Sequence, residues 1–217
     1  MRNILPRHAA TIFTAVLLVF FAASPTTIRA QESPSLVLKV GAVSARQTFS
    51  YHNFSLTELP VNDRWGLAAG AELRLMRVLG ADIQAELLYV QKGTTFFDVM
   101  ETTPAFPEGT GRMLSIDVRT DYLTISGSAK INVLSGPISP FLRFGPRMDL
   151  LLRNPYEFSL RTADIGMTAG IGAEVSIGPL PVLVLEGRIN PDLTSAYEGE
   201  FLTIDNRSFE LLLGLGF

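Results

Sequence analysis

The chemistry this chain offers first is charge. Lys39, Arg74, Lys130, Arg143, Arg147 and Arg188 share a parity with Glu72, Asp82, Glu86, Asp149, Glu174, Glu186 and Glu210 in alternating segments. Within those segments the same parity carries small residues: Gly41, Gly70, Ser126, Ser128, Gly145, Gly166, Gly170, Gly172, Gly214 and Gly216. Paired carboxylates such as Glu72 and Glu86 can do acid–base work. With Arg74 and Arg188 on the same face, they are better suited to a hydrogen-bonded ion network, in which arginine pairs well with buried carboxylates. Beyond the leader, His52 is the one histidine, close in sequence to Ser50, Ser55 and Asp63. A nucleophile, a base and an orienting carboxylate could be built from these. A loop histidine beside serines is common by chance, and we expect no enzyme.

Other chemistries are excluded or unsupported. Cysteine is absent, which rules out disulfides, thiolate metal sites and a catalytic thiol. "GIGAE" (170–174) alternates as a strand and opens no helix, so it is not a phosphate loop. No metal-ligand spacing occurs, and no cofactor is expected. The net charge of −3 offers no basic field for nucleic acid.

The 217 residues suit one domain behind a leader. "MRNILPRH" carries Arg2 and Arg7, "AATIFTAVLLVFFAA" is apolar, and "SPTTIRA" presents Ala30 before a cut. An apolar core of about 15 residues is short for a spanning helix of ~20, so residues 1–30 read as a cleaved signal peptide and 31–217 as the mature domain.

The elements that must carry the charges are strands. "SLVLKVGAV", "WGLAAGAELRL", "ADIQAELLYVQK" and "DYLTISGSAKIN" alternate at period two. So do "ISPFLRFGPRMDLL", "ADIGMTAGIGAEVSI", "PVLVLEGRIN" and "RSFELLLGLGF". That makes about eight strands of roughly ten residues, the length of a tilted membrane strand. Short connections near 77–80, 133–137 and 178–181 alternate with longer ones near 44–64, 93–118, 153–163 and 191–206. This is the rhythm of an up-and-down meander with one trimmed rim.

Alternation alone leaves two barrels open: a soluble one with an apolar interior, and a membrane one turned inside out. Small residues on the polar face favour a narrow lumen. Balanced, arginine-rich charge favours a lumen network of Lys39, Glu72, Arg74, Glu86, Lys130, Arg143, Arg147, Asp149, Glu174, Glu186, Arg188 and Glu210. Aromatics at strand ends (Trp65, Tyr89, Tyr122, Phe209, Phe217) suit interfacial girdles. The expected fold is therefore all-β: a closed, antiparallel, up-and-down transmembrane β-barrel of about eight strands.

The segments "ELLYVQKG" (86–93), "DYLTISGSAKIN" (121–132), "SPFLRFGPRMDLLL" (139–152), "IGMTAGIGAEV" (165–175) and the final "GLGF" carry a resemblance. Together they resemble the outer membrane protein β-barrel domain family of the Bacteroidetes and relatives, which includes the PorT-like small barrels. That resemblance implies residence in the outer membrane of a Gram-negative bacterium, contact with its lipid, and dependence on the barrel assembly machinery. It also implies an assembly signal in the last strand, which here falls on Phe209, Leu211, Leu213, Leu215 and Phe217. A non-enzymatic envelope, secretion-associated or loop-display role is expected, with partners met through the loops. Two alternatives stand beside it: a narrow transporter of small or apolar solutes, and a soluble secreted ligand-binding barrel. The apolar stretch 93–113, with Phe96, Phe97, Val99, Met100 and Phe106, is expected to pack on the rim or bind a partner.

Overall fold

Antiparallel strands make up most of the described residues. The computed structural model describes residues 34–51, 61–100, 107, 113–156 and 160–217. The expected leader and His52 lie outside the described residues. The long strands are β1 (Leu36–Tyr51), β2 (Val61–Val78), β3 (Ala81–Met100), β4 (Met113–Asn132), β5 (Ile138–Arg153), β6 (Ala163–Val175), β7 (Val182–Pro191) and β9 (Leu202–Gly216). A two-residue strand, β8 (Tyr197–Glu198), pairs with β9 above the others. Each long strand hydrogen-bonds to its sequence neighbours among the eight, and β9 returns to β1. The closing register runs from Val37 opposite Gly216 to Tyr51 opposite Leu202. Closure matters because an open edge in lipid would leave its backbone N–H and C=O groups unpaired. Phe217 fastens the seam: its N–H binds Leu36 O at 2.8 Å, and its C=O accepts from Ser35 N at 2.8 Å.

The trimmed rim is built of tight turns. Between β2 and β3 only Leu79 and Gly80 remain, both with positive φ (50° and 86°). Positive φ at both central residues is the two-residue hairpin geometry whose twist matches the strands. Gly80 adopts it freely, whereas Leu79 holds a conformation that L-residues with a Cβ disfavour. The connections 133–137 and 176–181 complete this rim.

The other rim differs from the sequence expectation. The ladders of β1, β2, β3 and β4 run well into the segments 44–64 and 93–118 that read as loops. β3 and β4 have 20 residues each, about twice the expected length. The reason lies in polarity. On β1, Lys39 and Gly41 face inward and Leu38, Val40 and Ala42 outward; from Ser44 on, Ser44, Arg46, Thr48 and Ser50 face outward while Ala45 and Phe49 are buried inside. The backbone ladder continues, but the polarity of the two faces reverses. A reading that requires one constant polarity stops each strand at the reversal.

Around the belt, large apolar residues point away from the barrel. Ile171 is 66% exposed and Leu213 52%, values a soluble barrel reserves for its polar face. Trp65, Tyr89 and Phe209 lie outward at the loop-side edge of this belt. Tyr122, expected in an outer girdle, is instead fully buried inside, where its hydroxyl meets Asn206 Nδ2 at 3.3 Å. Strand parity decides this: Tyr122 shares the inward face of Thr124, Ser126 and Lys130, while Leu123 and Ile125 lie on the outward one.

Candidate functional site: a charge-filled lumen

The lumen of the belt is packed with ions. Lys39, on β1, has Gly70 on β2 and Gly214 on β9 as its register partners, so space opens on both sides of it. Its ammonium reaches Glu72 at 2.5 Å, Glu186 at 2.7 Å and Glu86 at 2.9 Å. An ammonium has three donors, and here each is used. Arg143 joins from β5, hydrogen-bonding Glu72 and placing its Nε 2.9 Å from a Glu186 oxygen as an ion pair. Arg188 joins from β7, reaching Glu86 at 2.7 Å and Glu210 at 2.6 Å.

Seven of the residues expected in the network therefore meet in one cluster: three cations and four carboxylates, all buried. Glu72 and Glu86 are direct cross-strand partners, an arrangement that repels unless cations separate the pair. Lys39 and Arg143 do so. The glycines of this face make room. Gly170 lies between Arg143 and Arg188 in the register, and a Cβ there would come within 2.8 Å of Arg188 Cβ. A methyl group on Gly172 would overlap the Phe141 ring.

Other expected members sit apart from this cluster. Lys130 and Glu174 form their own pair at 2.5 Å nearer the turns, with the ammonium 5.3 Å from the centre of the Phe141 ring. Phe141, Val37 and Val184 form an apolar layer at that end. Arg147 and Asp149 belong to a third group toward the loops. There Lys92 bonds Asp149 at 2.5 Å, Arg147 contacts Asp149 at 3.1 Å and also bonds Asp192, and Thr124 Oγ1 binds Asp149 at 2.5 Å. Arg74 is half-buried near the turn end of β2, with its backbone N–H on Ser35 O at 2.9 Å. Asp82 is buried with Arg77 at 3.7 Å.

The third group holds the residues the sequence reading left out of the network: Lys92, Asp164 and Asp192. Lys92 and Asp164 have the parity of Glu86 and Glu174, so alternation alone could have found them. Asp192 lies beyond β7, but it continues the inward series of Arg188 and Asn190. Burial pushes its carboxyl above the usual range, against the pull of Lys92 and Arg147.

Above these ions the lumen turns apolar. Phe49, Leu160 and Ile204 form a buried cluster, and the Phe49 and Phe96 rings meet at 5.3 Å between centres. Tyr156 closes over it, donating to Gln47 Oε1 at 2.5 Å, and burial pushes its phenol above its ordinary range. Phe96, expected on the rim or at a partner, thus packs in the barrel's upper interior. Of the possible catalytic neighbours of His52, Asp63 is engaged by Ser44 Oγ at 3.1 Å and Arg46 at 3.4 Å.

The residues of the expected assembly signal face outward along β9, with Phe209 and Leu211 nearly half exposed. No protein family and no curated protein matches this sequence. Solved structures do. The outer membrane protein OprG from Pseudomonas aeruginosa aligns over 88% of this chain and 99% of its own, with 8% identity and a TM-score of 0.53. This is the fold of the small outer-membrane barrels. Neisserial surface protein A (16% identity, 85% and 97% coverage, TM-score 0.46) and outer membrane protein AlkL (11%, 89% and 93%, 0.48) align as well.

Proposed function

We propose that this chain is a non-enzymatic integral protein of a Gram-negative outer membrane, whose belt is a structural anchor and whose elaborated rim meets partners. One observation carries the reading: charges are buried inside the belt while leucine, isoleucine and phenylalanine point out of it. Water would reward the opposite arrangement, and only a lipid surround makes this one stable. The soluble-barrel alternative lacks that support.

The filled lumen favours an anchor over a transporter. An eight-stranded barrel has just enough interior for its side chains. Here Lys39, Arg143 and Arg188 and their carboxylates occupy the middle, with apolar layers at both ends. The finer assignment, a PorT-like protein of a secretion or envelope assembly, rests on the sequence resemblance and is part of the proposal. Fractionation and planar-bilayer recording test the reading together. We expect the protein in the detergent-soluble outer-membrane fraction and no single-channel steps. Recovery in the aqueous fraction without detergent would overturn the membrane assignment, and regular conductance steps would overturn the filled lumen.

A further inference from the structure

On the outer wall, β1, β9 and β7 present two neighbouring rows of side chains. The lower row is Ser44, Phe209 and Ile189, set side by side by the register. The upper row is Arg46, Arg207 and Pro191, aligned by the same register. All six, together with Asp63 beside Arg46, line one groove of about 360 Å³ at the loop-side edge of the apolar belt. Arg46 and Arg207 are directly opposed across two strands, a like-charge pair that is destabilising when nothing anionic lies over it. Arg46 is partly held by Asp63 at 3.4 Å and by Val61 O at 2.6 Å. The Arg207 guanidinium is exposed and has no side-chain partner among the described residues.

We propose that this groove binds the phosphate of a membrane lipid headgroup in the leaflet facing the long loops. The inference rests on the membrane reading, because that reading puts Phe209 and Ile189 at acyl-chain depth and the two arginines at headgroup depth. The open Arg207 guanidinium fork matches two oxygens of a phosphate, and Arg46, held by Val61 O and Asp63 one strand away, adds positive charge beside it. Pro191 and Phe209 form an apolar floor for the first carbons of the chains, which a free anion would not use. The diametrically opposite wall is organised differently: on β4, Arg119 is already closed on Asp121 at 2.6 Å and on the Tyr89 hydroxyl at 2.7 Å.

The test uses the full chain folded in zwitterionic detergent. Binding is measured by native mass spectrometry against a bis-phosphorylated glycolipid (lipid A), its dephosphorylated form, phosphatidylglycerol and inorganic phosphate. We expect the phosphorylated lipids to bind, Arg207→Gln to weaken them by at least about tenfold, and Arg119→Gln to leave them unchanged. Arg207→Lys, which keeps the charge but not the fork, should fall between. Heat-dependent migration on a gel confirms that each variant is folded. Equal lipid binding by Arg207→Gln and wild type overturns the site, as does equal binding of the dephosphorylated lipid. Inorganic phosphate bound as tightly as the lipid would overturn the lipid assignment. A folded barrel that needs no detergent would overturn the membrane reading, an outcome recognisably different from an inserted barrel indifferent to Arg207.

Discussion

The belt and the loop-side extension are two stretches of one barrel wall built on opposite rules. In the belt, Lys39, Glu72, Glu86, Arg143, Glu186 and Arg188 are inside, and Leu73, Leu142, Ile171 and Leu213 are outside. In the extension, Phe49, Ile204 and Leu160 are inside, while Arg46, Asp63, Asp117 and Arg207 lie on the outer side. The hydrogen-bond ladder runs through both without interruption on β1 and β9. Backbone pairing is therefore indifferent to the surround, and side-chain polarity alone records where lipid gives way to water.

The largest effect should come from the centre of the belt. Lys39→Met strands Glu72, Glu86 and Glu186 with fewer cations, and removing one partner of a buried ion pair costs about 3–5 kcal/mol. Urea unfolding in lipid, followed by Trp65 fluorescence, measures the loss, and adding Glu72→Gln should return part of it. A loss under about 1 kcal/mol would mean that water screens the lumen. Next comes the extension's interior, where Phe49→Ala should cost about 3 kcal/mol, as in a soluble core. If it proved neutral, the upper cluster would not be a core at all.

The outer surface sharpens the contrast further. Leu213→Arg, in the belt, should cost at least about 2 kcal/mol in lipid, whereas Thr48→Arg, outward in the extension, should change stability by less than about 0.5 kcal/mol. Equal costs at both positions would erase the boundary between the two regions. A small effect is also expected at the rim: Arg64→Ala removes a 2.8 Å pair with an Asp117 carboxylate that is 58% exposed, for less than about 1 kcal/mol.

Much of this was legible in the chain. Alternation placed Lys39, Glu72, Glu86, Arg143 and Arg188 on one face, and Gly and Pro marked the short turns at Gly80, Pro137 and Gly178–Pro181. The extension was not legible, because Ser44 to Ser50 and Thr94 to Asp117 break the single polarity that the reading followed. Tyr122 differs for another reason: its aromatic type suggests a girdle, but its parity with Thr124, Ser126 and Lys130 puts it in the lumen. The membership of the ion cluster was only half legible, since Lys92 and Asp164 had the right parity, while Asp192 lay in what read as a loop.

By itself, then, the sequence determined that strands form and which side chains share a face in the belt, because a period of two is a local property of each strand; the count of about eight became eight long strands and a short β8 only in the closed barrel. The tertiary structure decided which charges meet. Closure of β9 on β1 and the stagger of the strands bring Lys39 to glutamates on β2, β3 and β7, contacts that no spacing along the chain encodes. It also decided where the wall reverses its polarity, because that depends on where along the closed barrel the surround changes from lipid to water.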